Sequence, residues 1–194
     1  MKHLIYYSSR ASTSGKALSQ GNLMKAGRMD IAIHSFIQGV FLSHDIREDV
    51  TFHFIFYGMP DPPKHIEITV TPELGLNKKD IGKIIKKLLY KYKPGEKIEV
   101  FPKSYIEKKT FQKIIQEFLD KGTEVFILDK KGKSIREIDI PKDCAFIIGD
   151  HDGLPKQETK RIKKLITPIS VGPHTYFASQ VVAVINNELD FRGI

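Results

Sequence analysis

The chain has little that would staple it, anchor it or mark it as a nicotinamide enzyme. Cys144 is its only cysteine, so no internal disulfide is available, and a lone thiol suits a reducing cytoplasm. Its apolar flank reads as structural rather than reactive. No apolar run approaches the ~20 residues that a membrane span needs. The first residues, Met1 to Tyr7, are too short for a signal peptide and lack a cleavage site, so they read as a first strand. Gly58, Gly75 and Gly82 form no phosphate loop, and no GxGxxG fingerprint occurs. There is no repeat and no long linker. One domain spanning residues 1–194 is therefore expected, soluble by its 41% apolar and 28% charged content.

Charge is present in excess and unevenly placed. The formal net charge is +8. Residues 78–136 hold 17 of the 31 Lys and Arg but only 8 of the 23 Asp and Glu. Such a concentration is the footprint of a polyanion binder, although a solvated Lys-rich face gives the same count.

Periodicity alternates between strand and helix. Thr51–Tyr57, Ile66–Val70, Lys97–Phe101, Thr123–Leu128 and Ala145–Ile148 read as strands. Met29, Ile33, Phe36, Ile37, Val40 and Phe41 form one helical stripe, and Ile81, Ile84, Ile85, Leu88 and Leu89 another, capped by Asn77. Ser104 and Glu107 match a capping box ahead of Phe111, Ile114, Ile115, Phe118 and Leu119. Pro155 suits the first turn of a helix reaching Leu165. This alternation predicts an α/β sandwich with a mainly parallel sheet.

The last quarter is the most specific. One strand runs into Gly149-Asp150-His151-Asp152-Gly153, and Ile169-Ser170-Val171 runs into Gly172-Pro173. Two strand ends that open into glycine loops offer bare backbone groups to a nucleotide-like ligand. The 150–152 triplet also has the chemistry of a divalent-metal hydrolase, but adjacent residues rarely converge on one ion, and Asp152 reads better as a cap for the following helix. Val181-Val182-Ala183-Val184-Ile185 is apolar almost all round, so the closing helix, Tyr176 to Leu189, must be central or lie in a subunit interface.

Gly149 with its strand, the Ile169–Pro173 loop and the closing helix resemble the SPOUT superfamily of RNA methyltransferases. Gly27-Arg28-Met29-Asp30, the stretch Phe41 to Val50 and Asn187-Glu188-Leu189-Asp190 narrow that resemblance to the archaeal tRNA pseudouridine N1-methyltransferase family. The resemblance implies a SPOUT-type α/β/α sandwich with a C-terminal trefoil knot, a homodimer and S-adenosylmethionine (SAM) as cofactor. It implies methylation of pseudouridine N1, at position 54 of tRNA. Carried over residue by residue, it places Leu128, Gly149, Ile169, Val171, Gly172, Pro173 and Val181 around the cofactor. Asp30 would orient or deprotonate the base beside Arg28, and Asp45 and Arg47 would contact RNA. The competing expectations are a non-catalytic RNA-binding module on the same fold and a ribosomal RNA pseudouridine N1-methyltransferase.

Overall fold

A computed structural model describes residues 1–19 and 21–194. In chain order the elements are β1 (Lys2–Ser8), α1 (Gly15–Ser19), α2 (Met29–Val40), β2 (Val50–Phe56), β3 (Lys64–Thr69), α3 (Ile81–Lys91), β4 (Ile98–Phe101) and β5 (Ser104–Glu107). They continue with α4 (Phe111–Asp120), β6 (Glu124–Ser134), β7 (Cys144–Gly149), α5 (Lys156–Ile162), β8 (Thr167–Ser170) and α6 (Ala178–Phe191). One sheet holds all eight strands in the order β4-β5-β3-β2-β1-β7-β6-β8. From β2 to β8 every pairing is parallel, whereas β3, β5 and β4 extend the sheet antiparallel.

β1 and β7 lie in the middle of this sheet, which is why they read as near-continuous apolar runs. Leu4, Tyr6, Phe52, Phe54, Phe146 and Ile148 face α2, α3 and α6, while Ile5, Ile55, Ile127 and Ile147 face α4 and α5. The expected α/β/α sandwich is thus present. Cys144 is buried in it, and burial pushes its thiol up to about 11, as a structural cysteine requires. Asn77 accepts from the Lys79 N–H and caps a 3-10 turn that leads into α3.

Three local expectations are corrected. Ser104 and Glu107 open no helix. They belong to β5, where residues alternate between buried and half-buried and pair with β3. Ser104 donates to the Pro102 carbonyl and Glu107 accepts from His65, so neither side chain is free to cap. The helix starts later, with Thr110 accepting from the Lys113 N–H. The helix after Pro155 ends at Ile162, short of Leu165. Asp152 does not cap it; its carboxylate pairs with Arg10. The closing helix is covered on one side by α2, through Ala178, Val182, Ile185, Asn186 and Leu189, while Val181, Ala183 and Val184 stay half-buried.

The α2–α6 contact is fixed by polar groups. Asn186 donates to the Gln38 and Gly39 carbonyls, both at 3.1 Å, and so satisfies two groups near the end of α2. Near β8 the chain is unusually close to itself. Ile169 pairs with Leu128 and again with Lys133, and a Cβ on Gly132 would lie 2.5 Å from the Ile169 backbone. The 128–133 segment therefore wraps β8, and only glycine fits at its tightest point.

Under α4 runs a buried row of imidazoles. His3 Nδ1 lies 3.0 Å from His53 Nε2, His53 Nδ1 lies 3.0 Å from His65 Nε2, and His65 Nδ1 lies 3.0 Å from Glu107. Burial lowers His3 to about 4 and holds His53 well below its usual value. Burial alone would raise Glu107, but hydrogen bonds from His65 and Lys109 outweigh it and bring it to about 2. The folded state thus binds fewer protons than the unfolded chain at each of these sites. Stability contributed by His3 is complete above the unfolded value near 6.5 and is lost as pH falls toward 4. The Glu107 contribution is lost lower, between 4.5 and 2. We expect denaturant-determined stability to fall steadily between pH 6.5 and 4, with His3→Gln flattening that slope.

Candidate active site

The C-terminal ends of β1, β7, β6 and β8 meet at a cleft, the place where open parallel sheets bind ligands. Its centre is built by Asp150, which follows β7. The Asp150 carboxylate accepts from Ser8 Oγ at 2.6 Å, the Ser9 N–H at 3.2 Å and the Asp152 N–H at 2.9 Å. The Asp150 N–H in turn donates to the Tyr7 carbonyl. These bonds tie the exit of β1 to the turn after β7. A Cβ on Gly149 would sit 2.7 Å from the Gly153 carbonyl carbon, so the turn closes only over a glycine.

A pocket of about 500 Å³ opens beside this turn. Its apolar walls include Leu128, Ile148, Ile169, Val171, Ala178 and Val181, and Gly149 and Gly172 present backbone to it. Six of the seven expected cofactor residues therefore line one cavity. Pro173 lines an adjoining cavity of about 420 Å³, which shares Lys130, Ser170, Val171, Gly172 and Tyr176 with the first. Apolar walls, bare backbone and this volume are what an adenosine-sized ligand needs, so the residues present fit SAM.

Arg28 and Asp30 stand at the start of α2, at this same end of β1. Arg28 adopts the left-handed conformation, φ 62°, which is uncommon for a residue with a side chain. Its guanidinium grips Asp30 in a fork, Nε to Oδ1 at 3.1 Å and Nη2 to Oδ2 at 3.0 Å. That hydrogen bonding holds the Asp30 carboxyl below its ordinary value. Asp30 does not line the pocket. Tyr6 connects the two sites: it is fully buried, and its hydroxyl has no hydrogen-bond partner. Burial first, then the charges of Asp150 and Asp30, raise its phenol. An orphaned buried hydroxyl among these groups is costly unless a ligand or water completes it.

Asp45 and Arg47 lie elsewhere. They follow α2, at the end of the sheet where β1 and β2 begin, a full strand length from the pocket. Asp45 is exposed at a turn and accepts from the Ile46 N–H. Arg47 is 10% exposed and forked onto Asp190, so the Phe41–Val50 and Asn187–Asp190 segments meet in space as one strap. The 150–152 loop is expected to border the pocket, and Asp150 does line it; sequence reasoning missed Tyr6 and Ser8. The serines carry no motif, and the Tyr6 hydroxyl looks like plain core until its isolation is visible.

A mainly parallel α/β sandwich, with a glycine-lined pocket at the strand ends, defines a nucleotide-cofactor-binding class of protein. The family model described as "Putative SAM-dependent RNA methyltransferase" matches residues 1–194, and the chain belongs to that family. A tRNA (pseudouridine(54)-N(1))-methyltransferase of Pyrococcus abyssi is 34% identical over 180 residues, covering 87% of each chain. Its counterpart from Methanococcoides burtonii is 32% identical, over 98% of this chain and 96% of the relative. The crystal structure of Archaeoglobus fulgidus Nep1 bound to S-adenosylhomocysteine superposes with a TM-score of 0.65 at 14% identity, covering 100% of this chain and 99% of that one. At that identity the likeness concerns the fold.

Gly149→Ala is expected to force the 149–153 turn open and weaken SAM binding at least tenfold, read by calorimetry, with thermal stability reduced only modestly.

Proposed function

We propose that this protein methylates N1 of pseudouridine in RNA, at position 54 of tRNA, using SAM held in the 500 Å³ pocket. The observation that carries this reading is the pocket itself, whose lining comes from the very loops that the SPOUT resemblance assigned to the cofactor. The names of the relatives supply the base and the position.

SAM supplies an electrophilic methyl group. The protein must then align the accepting nitrogen with it and lower the cost of removing the proton on N1. That task falls to Asp30 in this reading, a carboxylate kept ionised by the two hydrogen bonds that Arg28 donates to it. While Arg28 grips it, Asp30 is a weak base and a good acceptor. Its first role is therefore to accept the N1–H and orient the ring, and the N1 proton leaves through this carboxylate to solvent as N1 gains the methyl group. Arg47, clamped by Asp190, contributes by fixing the α2–β2 loop against α6, and the exposed tip of that loop, which includes Asp45, is where this reading places an RNA contact.

Two further features belong to this reading. The wrap of 128–133 around β8 is the local geometry that a trefoil knot needs. The half-buried apolar residues of α6, with Phe177 and Phe191 exposed at 75% and 89%, suit a homodimer interface. Among the described residues no helix is long and apolar enough to cross a membrane. The 150–152 triplet suits a metal poorly, because the Asp150 and Asp152 carboxylates are already engaged by Ser8, Ser9 and Arg10.

The test is incubation with labelled SAM and T-arm RNA containing either pseudouridine or uridine at the target position. Label is expected only in the pseudouridine RNA. Equal transfer to both, or to neither, would sink the reading. Asp30→Asn is expected to lower kcat about 100-fold or more at saturating RNA while SAM affinity stays within about twofold. Unchanged turnover would remove Asp30 from the chemistry.

A further inference from the structure

The basic segment 78–136 does not form one face. α3 packs on the side of the sheet that carries α2 and α6, and α4 packs on the opposite side. Its lysines are therefore split between two surfaces, and neither α3 nor α4 lines the pocket.

The pocket mouth has its own cations. Lys156 and Lys160 stand one helical turn apart on α5 and line one wall. Lys130, on the segment that wraps β8, lines the other wall and continues into the adjoining cavity, where Arg136 joins it, exposed but 3.8 Å from the Glu188 carboxylate. All three lysines are exposed, and none has a carboxylate partner among the described residues. Among the described side chains, three carboxylates beside the mouth are spoken for. Asp129 pairs with Lys163, Asp150 is saturated by its three donors, and Asp152 pairs with Arg10. The mouth therefore carries uncompensated positive charge on both sides of a cavity pair that meets at Ser170–Gly172 and Tyr176.

We propose that the RNA strand crosses this mouth, with backbone phosphates held by Lys156 and Lys160 on one side and by Lys130 and Arg136 on the other. This rests on the RNA methyltransferase reading and deepens it. Two unpaired ammonium groups one turn apart match successive contacts along a phosphodiester chain. Cations on both walls are what a strand needs in order to present one unstacked nucleotide between them. The inference takes the RNA path off α3 and α4 and places it on residues around the cofactor loops.

The experiment measures KM for T-arm RNA against salt concentration, with SAM affinity measured in parallel. The variants are Lys156→Gln/Lys160→Gln, Lys130→Gln/Arg136→Gln and a control, Lys91→Gln/Lys93→Gln, which removes the same charge at the exposed end of α3. Each mouth pair is expected to raise KM for RNA at least tenfold and to lower the salt slope by about one to two. Their kcat at saturating RNA and their SAM affinity should stay near wild type. The control should change neither KM nor slope. The proposal fails if the mouth pairs leave KM and slope unchanged, or if the control matches their effect, which makes the attraction diffuse. It also fails if SAM affinity falls with Lys156→Gln/Lys160→Gln, which makes these groups cofactor ligands. Failure of the methyltransferase reading is separate, since it appears as no label transfer by the wild-type protein.

Discussion

The Asp150 carboxylate is the constraint on which the site depends. Two donors, Ser8 and Ser9, reach it from the exit of β1, 142 and 141 residues away in sequence, and a third comes from Asp152 in its own turn. A buried carboxylate is costly unless it is fully hydrogen-bonded, and here each donor is worth roughly 1.5–3 kcal/mol against leaving it unmade. This one group therefore holds the exit of β1 and the turn after β7 in a fixed relation. One wall of the pocket is referenced to that relation: Gly149 and Gly153 closing the turn, with Leu154 and α5 beyond it.

A second strap works at the far end of the sheet. Arg47 and Asp190 bind the α2–β2 loop to α6, and Asn186 stitches α6 to the end of α2. α6 thus reaches from the pocket, where Ala178 and Val181 line the wall, to the opposite edge. Its packing on α2 also sets the position of Arg28 and Asp30, since they open that same helix. The two ends of the chain are coupled through α2 and α6.

Much of this was legible from residue patterns. The parallel core showed itself through continuous apolar runs, and the cofactor loops through glycines at strand ends, because both signals are local and demanded by backbone geometry. What failed was context. Ser104 and Glu107 have the composition of a capping box, but Ile106 between them is needed in the sheet, and that tertiary demand overrode the local one. Asp152 had a helix to cap, yet Arg10, distant in sequence, claimed it. Arg47 looked like a cation for RNA because its partner lies 143 residues away. The charge count pointed to 78–136, which includes Lys130 and Arg136 but not Lys156 and Lys160; which cations stay free after distant pairings are made is something no local count reveals.

The central claim is that the loops organised by Asp150 hold the cofactor. Hydrogen exchange with and without S-adenosylhomocysteine, the demethylated product, tests it most directly. The account predicts slowed exchange at 128–132, 149–154 and 170–178, with Arg28–Val40 little changed. Protection confined to other segments, or none at saturating ligand, would contradict it.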